Sequence, residues 1–600
     1  VSVKVTKDSE TPGIGGVLKN AAGTELDEGG KAPTVLIPEE IVANQSLAVD
    51  TVTGATITSA AVINAVKDCL TQAGADPAAW MKETAANAQQ DQSADVVVVG
   101  GGGAGLAAAI AASQKGANVI IVEKNGEVGG DTLVCGAIYN TPDEPLQSKV
   151  TMTDAVKTTI EKALAEDPID DAHAALQKEV QAQWDEYKAS GRTDLFDTKE
   201  WYALQTWING DKVGDLDLVK VLCYDSFEGL EWIENLGMEF SDIIGQGAGS
   251  LWQRTHTSTM QMGTGFISTY VENILKDDKI TVLTSSTAEK LVQDDSGKVS
   301  GVVCKDKTGN EFTVSANMGV VLATGGFGAN DAMVPEEYKQ FVYAGHAGAT
   351  GDGLKMAEAV NADTFNMEFV NTQPNSMILP SGLGQYCNPG VGGAYAASGA
   401  FLVNQDGVRF SNEKGNAWDL MQDMKKNTAQ YLIMDQASFD AFNKGMTGSK
   451  IYSEEDVEKW LANDGEGNPF MVKADTLEDL AKKMNLPEGV LTETAAKYNE
   501  TAAAGGKDEF GRELTAPLSA EGPYYALQQY IRYYATLGGL RINDSMQVLN
   551  AEKQPVEGLY AAGEVVGGLE GDVYMGATLF GWAVTSGYNA GNAASEAIAK

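Results

Sequence analysis

Residues 94–123, ADVVVVGGGGAGLAAAIAASQKGANVIIVE, decide the fold. A buried strand at 96–99 runs into Gly100-x-Gly102-x-x-Gly105, and an Ala-rich helix follows. The glycines let the backbone approach a pyrophosphate and let the helix pack on the strand. The N-terminus of the helix offers unpaired N–H groups and a positive dipole end to the phosphates. The stretch therefore predicts a strand–turn–helix unit that binds a dinucleotide.

The end of the same stretch supports this prediction. The helix closes at Gly116, and a second apolar strand ends in Glu123. A carboxylate about 20 residues after the glycine motif takes the ribose hydroxyls of a dinucleotide. A glycine-rich turn by itself would be a weak signal, whereas here strand, helix and acid occur in the required order.

Composition limits the class of protein. A length of 600 residues predicts three or four domains, because single cores stop growing at about 250–300 residues. A net charge of −40 argues against nucleic acid and anionic membranes as partners. Five cysteines without CxxC spacing and three histidines predict no metal centre or haem. No apolar run approaches the roughly 18–20 residues of a transmembrane segment.

The patterns change several times along the chain. Residues 1–75 predict a small unit that ends in an amphipathic helix from Ser59 to Gln72, and polar residues 76–93 predict a flexible linker. Because the sequence begins at Val1, we expect that the natural N-terminus is missing and that the first domain is clipped. The dinucleotide unit begins at Ala94.

Two later regions differ in periodicity. Residues 150–240 are mainly helical in pattern, with four tryptophans as expected core anchors: Trp184, Trp201, Trp207 and Trp232. Residues 279–330 alternate apolar and polar positions, which predicts strands at 280–283, 288–292, 299–304, 312–314 and 318–327.

Five further motifs occur in the order of one flavoprotein family: Gly129-Gly130-Asp131-Thr132, Ala323-Thr324-Gly325-Gly326-Phe327, Gly348-Ala349-Thr350-Gly351-Asp352-Gly353, Gly538-Gly539-Leu540 and Gly558-Leu559-Tyr560-Ala561-Ala562-Gly563-Glu564. Residues 94–600 resemble the soluble flavoprotein fumarate reductase group, which includes urocanate and related ene-reductases and 3-ketosteroid dehydrogenases. The resemblance implies an α/β fold, in which a Rossmann-like FAD domain (94–365 and 535–600) carries an inserted α+β clamp domain (366–534). The substrate would lie between them, against the flavin.

The resemblance also implies the residues that bind non-covalent FAD. One group would hold the ADP half: Gly100, Gly102, Gly105 and Glu123. Another would lie near the pyrophosphate and isoalloxazine: Gly129, Gly130 and Thr132. Ala323, Thr324 and Gly325 would flank the adenine side of FAD. Asp352 and Glu564 would bind near its ribitol or pyrophosphate. A helix opening at Thr578 and Leu579 would place its positive end at the flavin.

The first domain has its own signature. Thr53-Gly54-Ala55-Thr56-Ile57-Thr58 resembles the FMN-binding domain motif, in which the last threonine is esterified to FMN phosphate. Thr58 would be the attachment site, on an exposed loop before a helix. The simpler alternative is an N-cap at Ser59. The resemblance implies a small α+β FMN domain that feeds electrons to FAD from an unidentified donor. Such domains often work outside the cytoplasmic membrane of anaerobic bacteria, and a cytoplasmic location stays open.

The substrate positions depart from the fumarate pattern. Family fumarate reductases use two histidines, an arginine clamp, a Glu–Arg relay and an arginine proton donor. The corresponding residues here are Gln373, Ala535, Tyr574, Gly393 with Ala396, and about Ala417. A buried dicarboxylate without arginine partners would carry a desolvation penalty of several kcal/mol, by order of magnitude. We therefore predict a substrate other than fumarate.

What replaces the clamp is aromatic and uncharged: Tyr386, Tyr395, Tyr533, Tyr534, Tyr574, Met575, Phe580 and Trp582. Residues 574–588 resemble the C-terminal segment of 3-ketosteroid dehydrogenases, in which a tyrosine bonds the ring carbonyl. The resulting prediction is an ene-reductase in which N5 of reduced FAD delivers hydride to the β-carbon of a neutral enone, with a steroid-like enone as one candidate. Tyr574 would polarise the carbonyl, Tyr395, Tyr534 or water would protonate the α-carbon, and Tyr139 is a second candidate for the carbonyl.

Three alternatives remain at this point. One is a reductase of an unsaturated carboxylate that uses an arginine not yet placed: Arg254, Arg409, Arg532 or Arg541. Another is a ketosteroid-type dehydrogenase that works in the oxidative direction. The last is an electron carrier whose FAD serves a partner protein.

Overall fold

The computed structural model describes residues 2–596 apart from 9, 11, 14, 27–31, 50–55, 82–87, 137, 248–249, 261, 388–393, 398, 449–451 and 515. The chain divides into two units. The first unit comprises Val1–Met333, His346–Phe369 and Ala535–Lys600, and the second comprises Val334–Gly345 and Val370–Tyr534. The domain boundaries given above remain predictions.

The helices, in chain order, are α1 (Pro33–Asn44), α2 (Thr56–Gln72), α3 (Gly103–Gln114), α4 (Asp131–Val134), α5 (Glu144–Gln147), α6 (Asp154–Ala165), α7 (Asp171–Ser190), α8 (Lys199–Asn209), α9 (Leu216–Asn235), α10 (Thr264–Ile274), α11 (Asp352–Glu358), α12 (Ala394–Ala397), α13 (Ala417–Met424), α14 (Gln436–Gly448), α15 (Glu454–Ala462), α16 (Leu477–Lys483), α17 (Val490–Ala504) and α18 (Thr578–Ala594). Short 3₁₀ turns occur at Pro77–Trp80, Glu336–Tyr338 and Gly563–Val565.

The strands are β1 (Gln92–Val99), β2 (Val119–Val122), β3 (Ile138–Asn140), β4 (Thr255–Thr257), β5 (Ile280–Leu283), β6 (Thr287–Gln293), β7 (Val299–Lys305), β8 (Glu311–Leu322), β9 (Val342–Tyr343), β10 (Thr364–Phe365), β11 (Val370–Ile378), β12 (Gly384–Tyr386), β13 (Phe401–Asn404), β14 (Gln430–Asp435), β15 (Met471–Ala474), β16 (Gly506–Lys507), β17 (Glu513–Leu514), β18 (Tyr524–Thr536), β19 (Gly539–Leu540), β20 (Gln547–Leu549) and β21 (Pro555–Ala561).

An eight-stranded sheet forms the centre of the first unit. Its order is β20-β21-β8-β1-β2-β5, and β7 pairs antiparallel with β8 and carries β6. The pairs β21–β8, β8–β1, β1–β2 and β2–β5 are parallel. Valine and isoleucine fill the inner strands, as is typical of a parallel sheet buried on both faces. The mixed α/β fold class predicted from the sequence is confirmed.

Helices α3 and α18 pack together against this sheet. Their contact depends on glycine, because a Cβ at Gly587 would lie 2.4 Å from the carbonyl oxygen of Ala104. A Cβ at Gly591 would lie 2.2 Å from the carbonyl oxygen of Ala108. The two backbones therefore approach more closely than any larger residue allows. The packing places the N-terminus of α18 beside the dinucleotide unit.

The helical prediction for 150–240 is confirmed by α6–α9. All four predicted tryptophans are buried, and Trp184 and Trp201 are each 1% exposed. Trp184 stacks on Tyr187 with ring centroids 5.2 Å apart. Aromatic side chains thus form the core of this layer.

One predicted strand boundary was wrong. The strands expected at 312–314 and 318–327 are one strand, β8, which ends at Leu322, and the chain then turns with Gly325 at φ +71°. Gln92 and Ser93 of the predicted linker belong to β1, because they pair with Val314 and Ser315. Residues 82–87 of that linker lie outside the described residues.

The second unit is built on a seven-stranded sheet. Its order is β12-β11-β18-β14-β13, and β9 and β15 also pair with β18. Apolar side chains pack on both faces, around Met434 and Leu527 on one side and around Ile433 and Ala526 on the other. Within the described part of the chain, no helix has the length and apolarity that crossing a membrane requires.

Gly591→Ala tests the α3–α18 contact. The added methyl group meets the backbone of α3, so we expect a loss of about 1–3 kcal/mol in the free energy of unfolding. Thermal unfolding of the flavin-loaded protein measures it. Gly445→Ala on α14 is the matched control: its Cβ would meet no atom within 4 Å, and removing a helical glycine should add about 0.5–1 kcal/mol. Equal destabilisation by the two changes would contradict this account.

Candidate active site

The predicted FAD residues meet at one edge of the sheet in the first unit. Gly100 follows β1, Glu123 follows β2, Ala323 follows β8 and Glu564 follows β21. These four strands are adjacent and parallel, so their carboxyl ends lie together. Ligands of open α/β sheets bind at this edge.

The glycines make a cradle for a phosphate group. Gly100 has φ +108°, and a Cβ there would lie 2.2 Å from the carbonyl oxygen of Ala323. A Cβ at Gly105 would lie 1.9 Å from the carbonyl oxygen of Gly100, so α3 packs directly on the turn. Gly102 is the N-cap of α3, and a Cβ there would meet only the carbonyl oxygen of Gly129, at 3.9 Å. Open space therefore faces the N-terminus of α3, where a phosphate binds best.

Glu123 is buried beside this turn. Its Oε2 accepts a hydrogen bond from the N–H of Gly101 and its Oε1 accepts one from Asn125, both at 2.7 Å. Burial raises the pKa of the carboxyl despite these two bonds. The side chain is thus fixed at the end of β2, as a ribose ligand requires.

The 129–132 loop lies against the same turn. Gly129 and Gly130 have φ values of +127° and +50°. The Thr132 hydroxyl oxygen accepts a hydrogen bond from the N–H of Gly103 at 3.2 Å. The loop is therefore held at the N-terminus of α3.

Residues after β8 and at α11 complete the edge. The Thr324 hydroxyl is buried and has no hydrogen-bond partner among the described residues. Asp352 accepts hydrogen bonds from Lys124 and from the Thr350 hydroxyl, each at 2.7 Å. Burial raises the pKa of Asp352, but these bonds outweigh it and the net shift is downward.

Glu564 lies inside the site. Its Oε1 accepts the N–H of Thr536 at 2.9 Å and the Thr536 hydroxyl at 3.2 Å. Burial and then the nearby Asp131 raise its pKa to about 8. The Asp131 carboxylate accepts the N–H of His346 at 2.8 Å. A buried cluster of acids and hydroxyls with spare hydrogen-bonding capacity suits the hydroxyl-rich chain of FAD.

Asp131 was predicted only as part of a motif, and the contacts of Lys124, Thr536 and His346 were not predicted. Lys124 follows Glu123 directly, and Thr536 precedes the Gly538 motif, so both had a local signal. The glycine cradle, the fixed Glu123 and the unpartnered Thr324 hydroxyl together fit FAD. These residues would hold its phosphates, ribose and ribitol.

Tyr574 lies just before α18, in the loop that leads into that helix. Its hydroxyl oxygen accepts a hydrogen bond from the N–H of Ala577 at 3.1 Å. Ala577 is the N-cap of α18 with φ +75°, and Thr578 and Leu579 begin the helix as predicted. The phenol is therefore placed at the positive end of a 17-residue helix.

Tyr139 occupies a different environment. It is fully buried, its hydroxyl donates to the carbonyl oxygen of Ser226 at 2.7 Å, and it also bonds the Thr585 hydroxyl at 3.1 Å. Burial raises its pKa. Both bonds commit this hydroxyl to the interior of the first unit, so we leave Tyr139 out of the proposal below.

The two other candidate tyrosines belong to the second unit. Tyr395 is 2% exposed and packs in an apolar core of the second unit. The Arg512 guanidinium lies 5.0 Å from the centroid of its ring. Tyr534 lies near the end of β18, with the guanidinium of Arg532 4.9 Å from its ring. The predicted aromatic wall is thus divided between the units, four residues in each: Tyr574, Met575, Phe580 and Trp582, and Tyr386, Tyr395, Tyr533 and Tyr534.

The four candidate arginines have distinct surroundings. Arg254 pairs with Asp197 at 2.8 Å, Arg541 with Asp363 at 2.8 Å, and Arg409 with Glu413 and Asp508 at 2.8 Å each. The Arg532 guanidinium lies against aromatic rings, 4.5 Å from the centroid of Tyr386 and 4.9 Å from that of Tyr534. Carboxylates of their own unit therefore hold Arg254, Arg409 and Arg541.

Thr58 is buried in the first turn of α2, 7% exposed, rather than on the exposed loop that we expected. Its hydroxyl donates to Glu10 at 3.0 Å. Residues 50–55 of the motif lie outside the described residues. A Cβ at Gly13 would lie 2.9 Å from the side chain of Leu133, so this region contacts the end of the 129–133 segment. Burial and then Glu10 raise the pKa of Glu127 to about 8.

Comparison with known families settles what the fold represents. The model for the FAD binding domain family matches residues 95–578. The chain belongs to this family. The model for the FMN-binding domain matches residues 1–71. The chain is thus an FAD-dependent oxidoreductase with a second flavin domain.

Relatives with assigned activities are similar over most of the chain. NADH:acrylate oxidoreductase of Vibrio harveyi is 30% identical over 94% of this chain, which spans 57% of that protein. Urocanate reductase of Eggerthella lenta is 30% identical, covering 90% of this chain and 81% of the enzyme. Vinyl phenol reductase of Lactiplantibacillus plantarum is 28% identical over 62% of this chain and 79% of its own length. The solved open conformation of a flavocytochrome c3 fumarate reductase has a TM-score of 0.66 at 25% identity, covering 87% of this chain and 84% of that one.

Proposed function

We propose that the chain is a flavin-dependent reductase of an activated C=C bond in a neutral enone, with Tyr574 as the residue that polarises the carbonyl. The named relatives support the reaction class, since they reduce acrylate, urocanate and vinyl phenol. The vinyl phenol enzyme supports an uncharged substrate, because its alkene carries no carboxylate.

The position of the Tyr574 hydroxyl carries the proposal. A hydroxyl that accepts a hydrogen bond from a backbone N–H becomes a better donor to a second partner. The N-terminus of α18 adds a positive dipole end at the same place. Both effects stabilise negative charge that develops on a carbonyl oxygen during reduction.

Charge supports a neutral substrate. Burying a carboxylate without a cationic partner costs several kcal/mol, by order of magnitude, and arginine is its usual partner. Arg254, Arg409 and Arg541 already pair with carboxylates inside their own units. Tyr574 occupies the position at which the fumarate pattern has an arginine. A phenol hydrogen-bonds a neutral carbonyl group well, but it does not neutralise the charge of a carboxylate substrate as an arginine does.

The reaction balances with one hydride and one proton. Bound FAD in its two-electron-reduced form would supply the hydride for the new C–H bond at the β-carbon and would return to oxidised FAD. Tyr574 holds the carbonyl oxygen as the electron pair moves onto it. The α-carbon then takes a proton as the carbonyl re-forms. We propose water as its source in preference to Tyr395, because Tyr395 packs inside an apolar core of the second unit.

The FMN domain supports the reductive direction, because a second flavin supplies electrons to FAD. We propose that FMN is attached at Thr58, whose hydroxyl donates a hydrogen bond to the Glu10 carboxylate. That carboxylate is placed to take the proton as the flavin transferase moves FMN from FAD to the Thr58 oxygen, which breaks the pyrophosphate and releases AMP. The contact of Gly13 with Leu133 brings this region close to a predicted flavin loop.

Arg532 favours a second candidate, a reductase of an unsaturated carboxylate. Its guanidinium lies against two tyrosine rings, 4.5 Å from the centroid of Tyr386 and 4.9 Å from that of Tyr534. Arginine in such a setting holds an aromatic acid well, because it combines a charge with a planar face. Under this alternative, Arg532→Gln would raise the KM for an acid more than for its neutral ester.

Tyr574→Phe tests the leading proposal. Removing one donor to a developing oxyanion lowers kcat by about 10²–10³, and the variant should keep its FAD absorbance. Anaerobic turnover of a neutral enone measures this. Tyr588→Phe, on the helix α18 that follows Tyr574 and bonded to Glu228, is the control and should keep its rate. Full turnover by Tyr574→Phe would remove the polarising role.

Thr58→Val tests the FMN site. Without the hydroxyl no phosphoester forms, so the denatured chain should lose its flavin fluorescence on a gel while extractable FAD stays at one per chain. The protein must be produced together with a flavin transferase. Thr56→Val changes another of the three threonines of the motif and should keep the covalent flavin. Covalent flavin in Thr58→Val would place the attachment elsewhere.

A further inference from the structure

The loop that carries Tyr574 is held by three polar side chains. The Asn209 amide donates to the carbonyl oxygen of Val573 at 3.1 Å, and the Asn140 amide donates to that of Gly576 at 2.9 Å. Between them, Oε2 of Glu570 accepts the N–H of Met575 at 3.1 Å. Backbone groups on both sides of Tyr574 are therefore tied to neighbouring elements.

Glu570 itself is fixed in place. A Cβ at Gly210 would lie 1.9 Å from the carbonyl oxygen of Glu570. A Cβ at Gly571 would lie 2.0 Å from the carbonyl oxygen of Gly210. The end of α8 thus packs on the backbone beneath the carboxyl. Glu570 is 2% exposed, and its Oε1 has no hydrogen-bond partner among the described residues.

We propose that Glu570 is a positioning residue for Tyr574: it holds the Met575 N–H and so fixes the direction of the phenol. This inference rests on the proposed role of Tyr574. It extends that role, since nothing in the family comparison assigns Glu570 a part in the reaction. A displacement of about 1 Å at a reacting centre can cost about 100-fold in rate, so a loop anchor of this kind has a large effect.

Of the three anchors, Glu570 alone can titrate. Burial raises its pKa to about 8, although the Met575 N–H and the Thr578 hydroxyl lower it. The ionisable groups that interact with it are Tyr202 on α8 and Cys223 on α9, and burial raises the pKa of each. Asp211 and Asp572 lie in the adjoining loops. The Arg254 guanidinium lies 4.2 Å from the ring centroid of Tyr202 and is paired with Asp197. None of the described groups offers Glu570 a cation.

Glu570 is therefore neutral at pH 7 and ionises as the pH passes about 8. The new buried charge lies next to the loop where the carbonyl oxygen becomes negative. The two like charges repel, so kcat should fall on the alkaline side with an apparent pKa near 8. A glutamine at this position has no such ionisation.

The first experiment compares Glu570→Ala and Glu570→Gln in the flavin-loaded protein. Glu570→Ala removes the partner of the Met575 N–H, so kcat should fall about 10- to 100-fold while KM changes little. Glu570→Gln keeps an acceptor oxygen and should recover most of that loss, and its kcat should stay level between pH 7 and 9. A wild-type kcat in Glu570→Ala, or an unchanged alkaline fall in Glu570→Gln, would overturn the proposal.

A double-mutant cycle with Tyr574→Phe separates this inference from the proposed function. If Glu570 acts through Tyr574, Glu570→Ala should lower the rate of Tyr574→Phe by less than threefold. If Tyr574→Phe keeps full turnover, the proposed function fails. If Tyr574→Phe is slow and Glu570→Ala lowers its rate by the full factor again, only the positioning role fails.

The pH dependence of thermal stability gives a second test. It requires neither an activity measurement nor a folded Glu570→Ala variant. Because burial raises the pKa of Glu570 from the ordinary 4.5, its contribution to stability is complete below about 4.5 and is lost as the pH rises towards 8. Glu570→Gln should therefore gain thermal stability relative to wild type at pH 8.5 and not at pH 4.5. Glu557→Gln, at an exposed position of β21, should show no such difference. Parallel curves for wild type and Glu570→Gln would overturn the assignment of a buried, neutral carboxyl.

Discussion

The site depends on one constraint, the close approach of backbone to backbone at the carboxyl end of the parallel sheet. Gly100 lies against Ala323, Gly105 against Gly100, and Gly591 of α18 against α3. Any side chain at these three places would push apart the two backbones that meet there. The same contacts leave the N-terminus of α3 open for a phosphate and bring α18 beside it. FAD binding and the placement of Tyr574 therefore follow from a single packing arrangement.

Residues that belong to continuous motifs could be predicted from the sequence alone. Glycine spacing, strand pattern and the acid at 123 predicted the dinucleotide unit, because each depends on neighbours in the chain. The end of β8 was misplaced, since apolar residues continue to Phe327 and only the turn at Gly325 ends the strand. Thr58 was expected on an exposed loop, but α2 begins at Thr56 and buries it against Glu10. Local pattern carries no information about such contacts.

Residues that act through distant partners could not be predicted. Asn140, Asn209 and Glu570 meet on one loop although more than 400 positions separate Asn140 from Gly576, so no spacing rule relates them. Tyr139 illustrates the converse case. Its position near a flavin motif suggested a catalytic role, but the hydroxyl is held by Ser226 and Thr585. The chemistry of a tyrosine depends on what its hydroxyl already bonds, and only the structure supplies that.

The central claim is that a neutral alkene is reduced at a site with a phenol in place of a guanidinium clamp. The most direct measurement is anaerobic reoxidation of the reduced holoenzyme by matched pairs, benzalacetone with cinnamate and dimethyl fumarate with fumarate. The account predicts that each neutral member reoxidises FAD at least about 100-fold faster, because an unpaired buried carboxylate costs several kcal/mol. Faster reoxidation by the acids would contradict it.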